Sequence, residues 1–192
     1  MRLWVLIWNS LLLGVGLAMD AFSVSLANGL HEPDMTGRRA CLMAGTFGFF
    51  QALMPLIGWL CVRTVAQRFA AFQRWVPWIA LILLLYIGGS MLWEGIRFRE
   101  GDDPPPAVGA GGLLLQGVAT SIDALSVGFT ISEYTLPAAL LAAFLIAAVT
   151  FVICLAGIRL GKTVGTGLSG KASILGGVIL IGIGIEIFLT GI

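Results

Sequence analysis

Six apolar stretches, at about 3–29, 40–62, 75–97, 110–132, 135–158 and 171–191, each hold close to the twenty residues that cross the hydrocarbon of a bilayer. No other feature narrows the fold as much. Hydrophobic residues make up 58% of the chain and charged ones 11%, against roughly 25% charged in soluble domains, so water cannot be the only solvent. Lipid leaves exposed backbone groups without partners, and the stretches are much longer than the roughly ten-residue strands of a barrel. The expected fold is therefore all-α: an integral membrane protein of six transmembrane helices. The first stretch outruns a signal-peptide core of roughly 7–15 residues, and Asp20 interrupts it, so it reads as a retained helix.

The connections carry the charge. HEPDMTGRR (31–39), RFREGDDPPPAVG (97–109) and RLGKTVGTGLSGK (159–171) hold Arg38, Arg39, Arg97, Arg99, Arg159, Lys162 and Lys171. Arg2, Arg63, Arg68 and Arg74 fall on the other side of a six-span chain. Seven against four places both termini outside the cytoplasm by the positive-inside rule. A net charge of +1 gives no polybasic surface for nucleic acid. Cys41, Cys61 and Cys154 form no CxxC pair and read as small hydrophobes. Trp4, Trp8, Trp75, Trp78 and Trp93 fall near span ends, where indoles anchor a helix at the interface.

An internal repeat organises the chain. Met19-Asp20-Ala21-Phe22-Ser23-Val24 in the first span returns as Ile122-Asp123-Ala124-Leu125-Ser126-Val127 in the fourth, 103 residues later. Gly14-Val15 and Gly117-Val118 share that offset. Leu56-Ile57-Gly58 aligns with Leu155-Ala156-Gly157 at an offset of 99, and Ile87-Gly88 with Ile181-Gly182. Each half has three spans, so the second half enters from the opposite side. The expectation is two inverted-topology three-helix repeats, 1–98 and 110–192, joined by a polar Pro-rich connection, 99–109.

The repeat carries an aspartate in each copy. A carboxylate near a bilayer centre costs about 2.5–3.5 kcal/mol, and intramembrane acids mark ion or proton pathways. The plain alternative is a hydrogen bond across helices, but no Lys or Arg stands mid-span to pair with either acid. At helical spacing Gly16, Asp20, Ser23 and Ala27 share one face, and so do Ala119, Asp123, Ser126 and Thr130. Ser25, Asn28, Thr120 and Ser121 add oxygens nearby. Carboxylate, hydroxyl and carbonyl oxygens suit Mg²⁺, Ca²⁺ or Mn²⁺, and no His or Cys cluster suggests a softer metal. Gln51 and Thr150 occupy equivalent mid-span positions and either lend oxygens or bond between helices. Glu94 reads as an interfacial acid that snorkels, Glu186 as interfacial or functional, and His31 as a loop residue.

These segments resemble the MntP-type manganese efflux pumps, a six-helix family within a wider lysine-exporter-like group. The resemblance rests on Met19-Asp20-Ala21-Phe22, Ser121-Ile122-Asp123-Ala124, Pro55-Leu56-Ile57-Gly58-Trp59, Ile87-Gly88-Gly89 with Glu94-Gly95, and Ile174-Leu175-Gly176-Gly177 through Gly184. It covers almost the whole chain. It implies export of Mn²⁺ across the inner membrane, with Asp20 and Asp123 as the essential carboxylates. Mn²⁺ is then cargo, no cofactor is implied, and a second copy of the chain is an admissible partner beside the bilayer. The family carries Glu where this chain has Gln51, so a third carboxylate ligand from the second span is missing here.

Taken together, Asp20, Asp123, Ser23, Ser126, Gln51 and Thr150 are the expected metal-contacting residues, in a transporter and not an enzyme. An intramembrane aspartyl protease also needs two acids, but no GxGD precedes either one. An exporter of an amino acid or another small solute on the same plan stays open. No GxxxxGK[ST] occurs, which favours secondary transport, with proton antiport as one coupling. Straight spans would leave the two Asp Cα atoms about 9 Å apart along the membrane normal, too far for comfortable shared ligation. Tilt or unwinding is therefore expected near Gly14–Gly16 and Gly117.

Overall fold

The computed structural model describes residues 3–73, 76–97, 108–168 and 171–191. Among them the structure is all-helical, with no strand: α1 (Leu3–His31), α2 (Gly37–Gln73), α3 (Val76–Arg97), α4 (Ala110–Ser121), α5 (Ala124–Thr130), α6 (Leu136–Leu168) and α7 (Lys171–Gly191). Three segments are long and apolar enough to cross a membrane by length and composition: Leu3–His31, Gly37–Val62 and Leu136–Val164.

Glycines set how these helices meet. A Cβ on Gly14 would sit 3.2 Å from Val149, and one on Gly157 would sit 2.8 Å from the Phe22 carbonyl oxygen. Gly29 and Gly161 meet further along, each against the other's backbone. Contacts that advance together along both helices mean that α1 and α6 run the same way. The pair formed by α2 with α4 and α5 repeats this: Phe50 packs on Gly117, and Gly58 packs on Leu125 and Gly128. Helix α2 crosses α6 where Gly48 meets the Ala147 carbonyl, and α3 packs antiparallel on α7, with Gly88 against Gly177 and Ile181 and Gly177 against Leu92. Small residues at such crossings let backbones touch, which supplies the packing that lipid, as apolar as a leucine side chain, does not drive by itself. The core between the pairs is built from Ala21, Val24, Ala27, Met43, Phe47, Leu84, Cys154, Ile158 and Leu180.

The fourth apolar stretch is broken, and the first is not. Helix α4 ends at Ser121 and α5 starts at Ala124, joined by a tight turn with Leu125 N–H donating to Ile122 O (3.2 Å) and Ser126 N–H to Asp123 O (2.9 Å). Just before the break Thr120 Oγ1 donates to Gln116 O and Ser121 Oγ to Gly117 O. Such bonds do not break a helix by themselves, since Ser10, Ser23, Thr46 and Thr163 make them within continuous helices. The break falls at Ile122–Asp123, beyond Gly117, and is a tightened turn in which Ile122 keeps helical dihedrals, while α1 stays helical through Gly14 and Gly16. His31, expected in a loop, is instead the buried last residue of α1.

Candidate ion site between α1 and the α4–α5 break

Asp20 lies on α1 and is half-buried, and Asp123 lies in the break and is exposed. The two carboxylates are near enough for their charges to interact. The backbone N–H groups of Asp123 and Ala124 lie against the Asp123 carboxylate. A break in a helix is what frees backbone groups to face a side chain in this way.

Behind the pair stands Gln51, fully buried on α2. Its Nε2 donates to the carbonyls of Leu17 (2.9 Å) and Thr120 (3.2 Å). Two carbonyl acceptors leave only one orientation for the amide, with the nitrogen toward them. Leu17 and Thr120 each precede an aspartate by three residues, so one side chain ties together the two helical turns that carry the acids. Gln51 Oε1 has no partner and is buried, and Thr150 Oγ1 shares that condition, whereas Ser25 Oγ lies against the Cys154 thiol. An unpaired buried oxygen costs about 1–3 kcal/mol, so the first two atoms are poised to accept from water or to coordinate a cation. Pro55, one turn further along α2, has no N–H to give to the Gln51 carbonyl.

The other expected oxygens divide. Ser23 Oγ donates to Met19 O (3.1 Å), and Ser126 is exposed beside Asp123. Asn28 is not available to the site: its Nδ2 donates to Gln116 Oε1 (2.7 Å), and Gln116 Nε2 donates back to Asn28 Oδ1 (3.1 Å), with both residues fully buried. Thr120 and Ser121 spend their hydroxyl protons on their own helix. The side chains of Glu94 and Glu186 lie outside the described residues. Among the described residues no group of three or more His, Cys, Asp or Glu side chains comes together.

Two open hollows lie on the surface toward the end where α1 begins. One, of about 400 Å³, is lined by Asn9, Leu13, Gly16, Leu17 and Tyr134. The other, of about 560 Å³, is lined by Leu3, Leu6, Glu133, Tyr134 and Pro137 among others. They share Tyr134, whose carbonyl accepts from Trp59 Nε1 at 3.0 Å.

Comparison with known proteins agrees with the motifs. The family model described as "Putative manganese efflux pump" matches residues 34–188. The chain is 41% identical over 184 residues to "Putative manganese efflux pump MntP" of Sorangium cellulosum, covering 93% of this chain and 94% of that one. It is 40% identical over 184 residues to the protein of the same name from Rippkaea orientalis, with 96% of each chain covered. The like-named Methanospirillum hungatei protein is 40% identical over 185 residues, covering 96% of this chain and 94% of its own. No solved structure matches. On the extent of these matches, the chain belongs to the MntP family.

Proposed function

We propose that the chain is a secondary transporter that exports Mn²⁺, or a closely related divalent cation, from the cytoplasm. The observation that carries this reading is the Asp20–Asp123 pair, two acids at matched positions whose helical turns are tied together by the one Gln51 side chain. Side by side, two carboxylates repel; a divalent cation between them turns repulsion into attraction. Gln51 Oε1 and Thr150 Oγ1, both buried without a partner, and the hydroxyls of Ser23 and Ser126 are the neutral oxygens this reading assigns to a hard ion. Two charges with neutral oxygens make a site that binds and also lets go, as export requires. Protons that return to Asp20 and Asp123 would displace the metal and couple export to a proton gradient.

Matched contacts support the inverted repeat, with halves 1–98 and 110–192 and six spans in which α4 and α5 together form the fourth. Gly58 packs on the Leu125 carbonyl, and Gly157 packs on the Phe22 carbonyl. Those pairs are related by the same offsets, 99 and 103, that align the sequence segments. Leu17 and Thr120, the carbonyls that share Gln51, are also 103 residues apart. The charge asymmetry of the connections supports an inner-membrane orientation with both termini outside the cytoplasm.

The test is flux in proteoliposomes with a panel of divalent metals, with and without a pH gradient. Mn²⁺ should move, faster when protons can return. Movement of an amino acid with no divalent metal would replace this reading with a solute exporter.

A further inference from the structure

We propose that Asn28 and Gln116 form a gate that shuts the ion pathway at the end where α1 finishes and α4 begins, and that ions reach or leave the aspartates at that end only when this amide pair separates. The inference rests on the transport reading above. Asn28 lies eight residues past Asp20 and Gln116 seven before Asp123, so the pair stands about 10–12 Å from the aspartates along the helices. It joins α1 to α4 by two reciprocal hydrogen bonds in a fully buried setting.

Further bonds close the same end. Arg39 Nε donates to Glu32 (2.9 Å) and Arg39 Nη2 to the Val108 carbonyl (2.6 Å), which straps the start of α2 to the segment before α4. Lys162 Nζ on α6 donates to the Met35 carbonyl.

The opposite end is built differently. Under the repeat, Asn28 corresponds to Ile131 and Gln116 to Leu13, so the equivalent pair there is apolar. Leu13 lines the hollow toward that end, together with Gly16 and Leu17. The Asn28–Gln116 end is thus held by a buried amide pair between α1 and α4, whereas at the other end, where Trp59 Nε1 donates to the Tyr134 carbonyl, the equivalent pair is apolar and a cavity of about 400 Å³ lies beside it. A buried amide that loses its partner keeps its desolvation cost, which makes the closed end a discrete state and not a loose one.

The experiment uses the full chain with Cys41, Cys61 and Cys154 replaced. Val24, buried on the α1 face that carries Asp20 and Asn28, becomes the reporter as Val24→Cys. An impermeant maleimide is applied from the side where α1 ends. Asn28→Ala and Gln116→Ala should each raise the labelling rate about tenfold or more, because either leaves a buried amide unpaired. The exchange Asn28→Gln with Gln116→Asn, which restores an amide pair, should bring the rate back toward the parent. In a separate chain without the reporter, Asn28→Cys and Gln116→Cys bridged by a short thiol crosslinker should stop Mn²⁺ flux until reductant is added. Unchanged labelling in both alanine variants, or full flux through the bridged protein, overturns the gate. Labelling needs no knowledge of the cargo: a parent that moves no Mn²⁺ yet shows the labelling pattern refutes the manganese reading and upholds the gate.

Discussion

Gly128 on α5 stands so close to Gly58 on α2 that a Cβ added to it would fall 2.5 Å from the Gly58 Cα. No rotamer relieves that contact, since both partners are backbone. Gly58→Ala and Gly128→Ala should each cost about 1–3 kcal/mol, as overpacked cores do, and lower the melting temperature of the purified protein in detergent. Gly45→Ala, where an added Cβ meets nothing within 4 Å, is the control and should be neutral or mildly stabilising. Equal melting temperatures for all three would contradict the close crossing.

Gln51 supplies a second prediction. Gln51→Leu removes the donor to Leu17 O and Thr120 O and the oxygen that faces no partner. Both carbonyls then lose the Gln51 bond, about 0.5–1.5 kcal/mol each, while the Leu17 carbonyl keeps its partner within α1. Export should fall steeply while the protein still inserts. Gln51→Met, similar in volume and equally unable to donate, should behave like Gln51→Leu, which separates hydrogen bonding from packing. Wild-type export by either variant would remove Gln51 from the site.

Much of this was legible in the residues. Apolar runs of bilayer length point to the helices, and the Asp-Ala-x-Ser-Val echo places Asp20 and Asp123 at matched positions. The position of the helix break was not legible. Glycine is the weak point a sequence suggests, whereas the interruption falls at Ile122–Asp123, where the Asp123 and Ala124 N–H groups face the Asp123 carboxylate. Gln116 was overlooked because it has no polar echo: its repeat position holds Leu13. A lone amide in an apolar span was the available signal. Asn28 reads as a nearby oxygen, and only the partner on α4 shows where that oxygen goes. The close-contact glycines were hidden among 26, most of which mark no crossing that sequence alone could single out.

Six spans with an inverted repeat make a sidedness prediction. Asp34 follows α1 and Glu133 follows α5, and both are exposed. After an odd number of spans the chain is on one side, and after an even number it is on the other. Asp34→Cys and Glu133→Cys should therefore react with an impermeant thiol reagent from opposite faces of the membrane, Asp34→Cys from the cytoplasmic face. Reaction from the same face would contradict both the span count and the inverted halves.

The account depends most on the two aspartates acting as one cation site. Asp20→Asn and Asp123→Asn keep the side-chain volume and some hydrogen bonding but remove the charge that a hard divalent ion requires. The deciding measurement is Mn²⁺ flux in proteoliposomes holding equal amounts of wild-type, Asp20→Asn or Asp123→Asn protein, each verified as folded by its melting temperature. The account predicts flux for the wild type and background for either single variant, with the double variant no worse than the singles. Wild-type flux through either asparagine variant would contradict it, and would leave the pair a structural contact between α1 and the α4–α5 break.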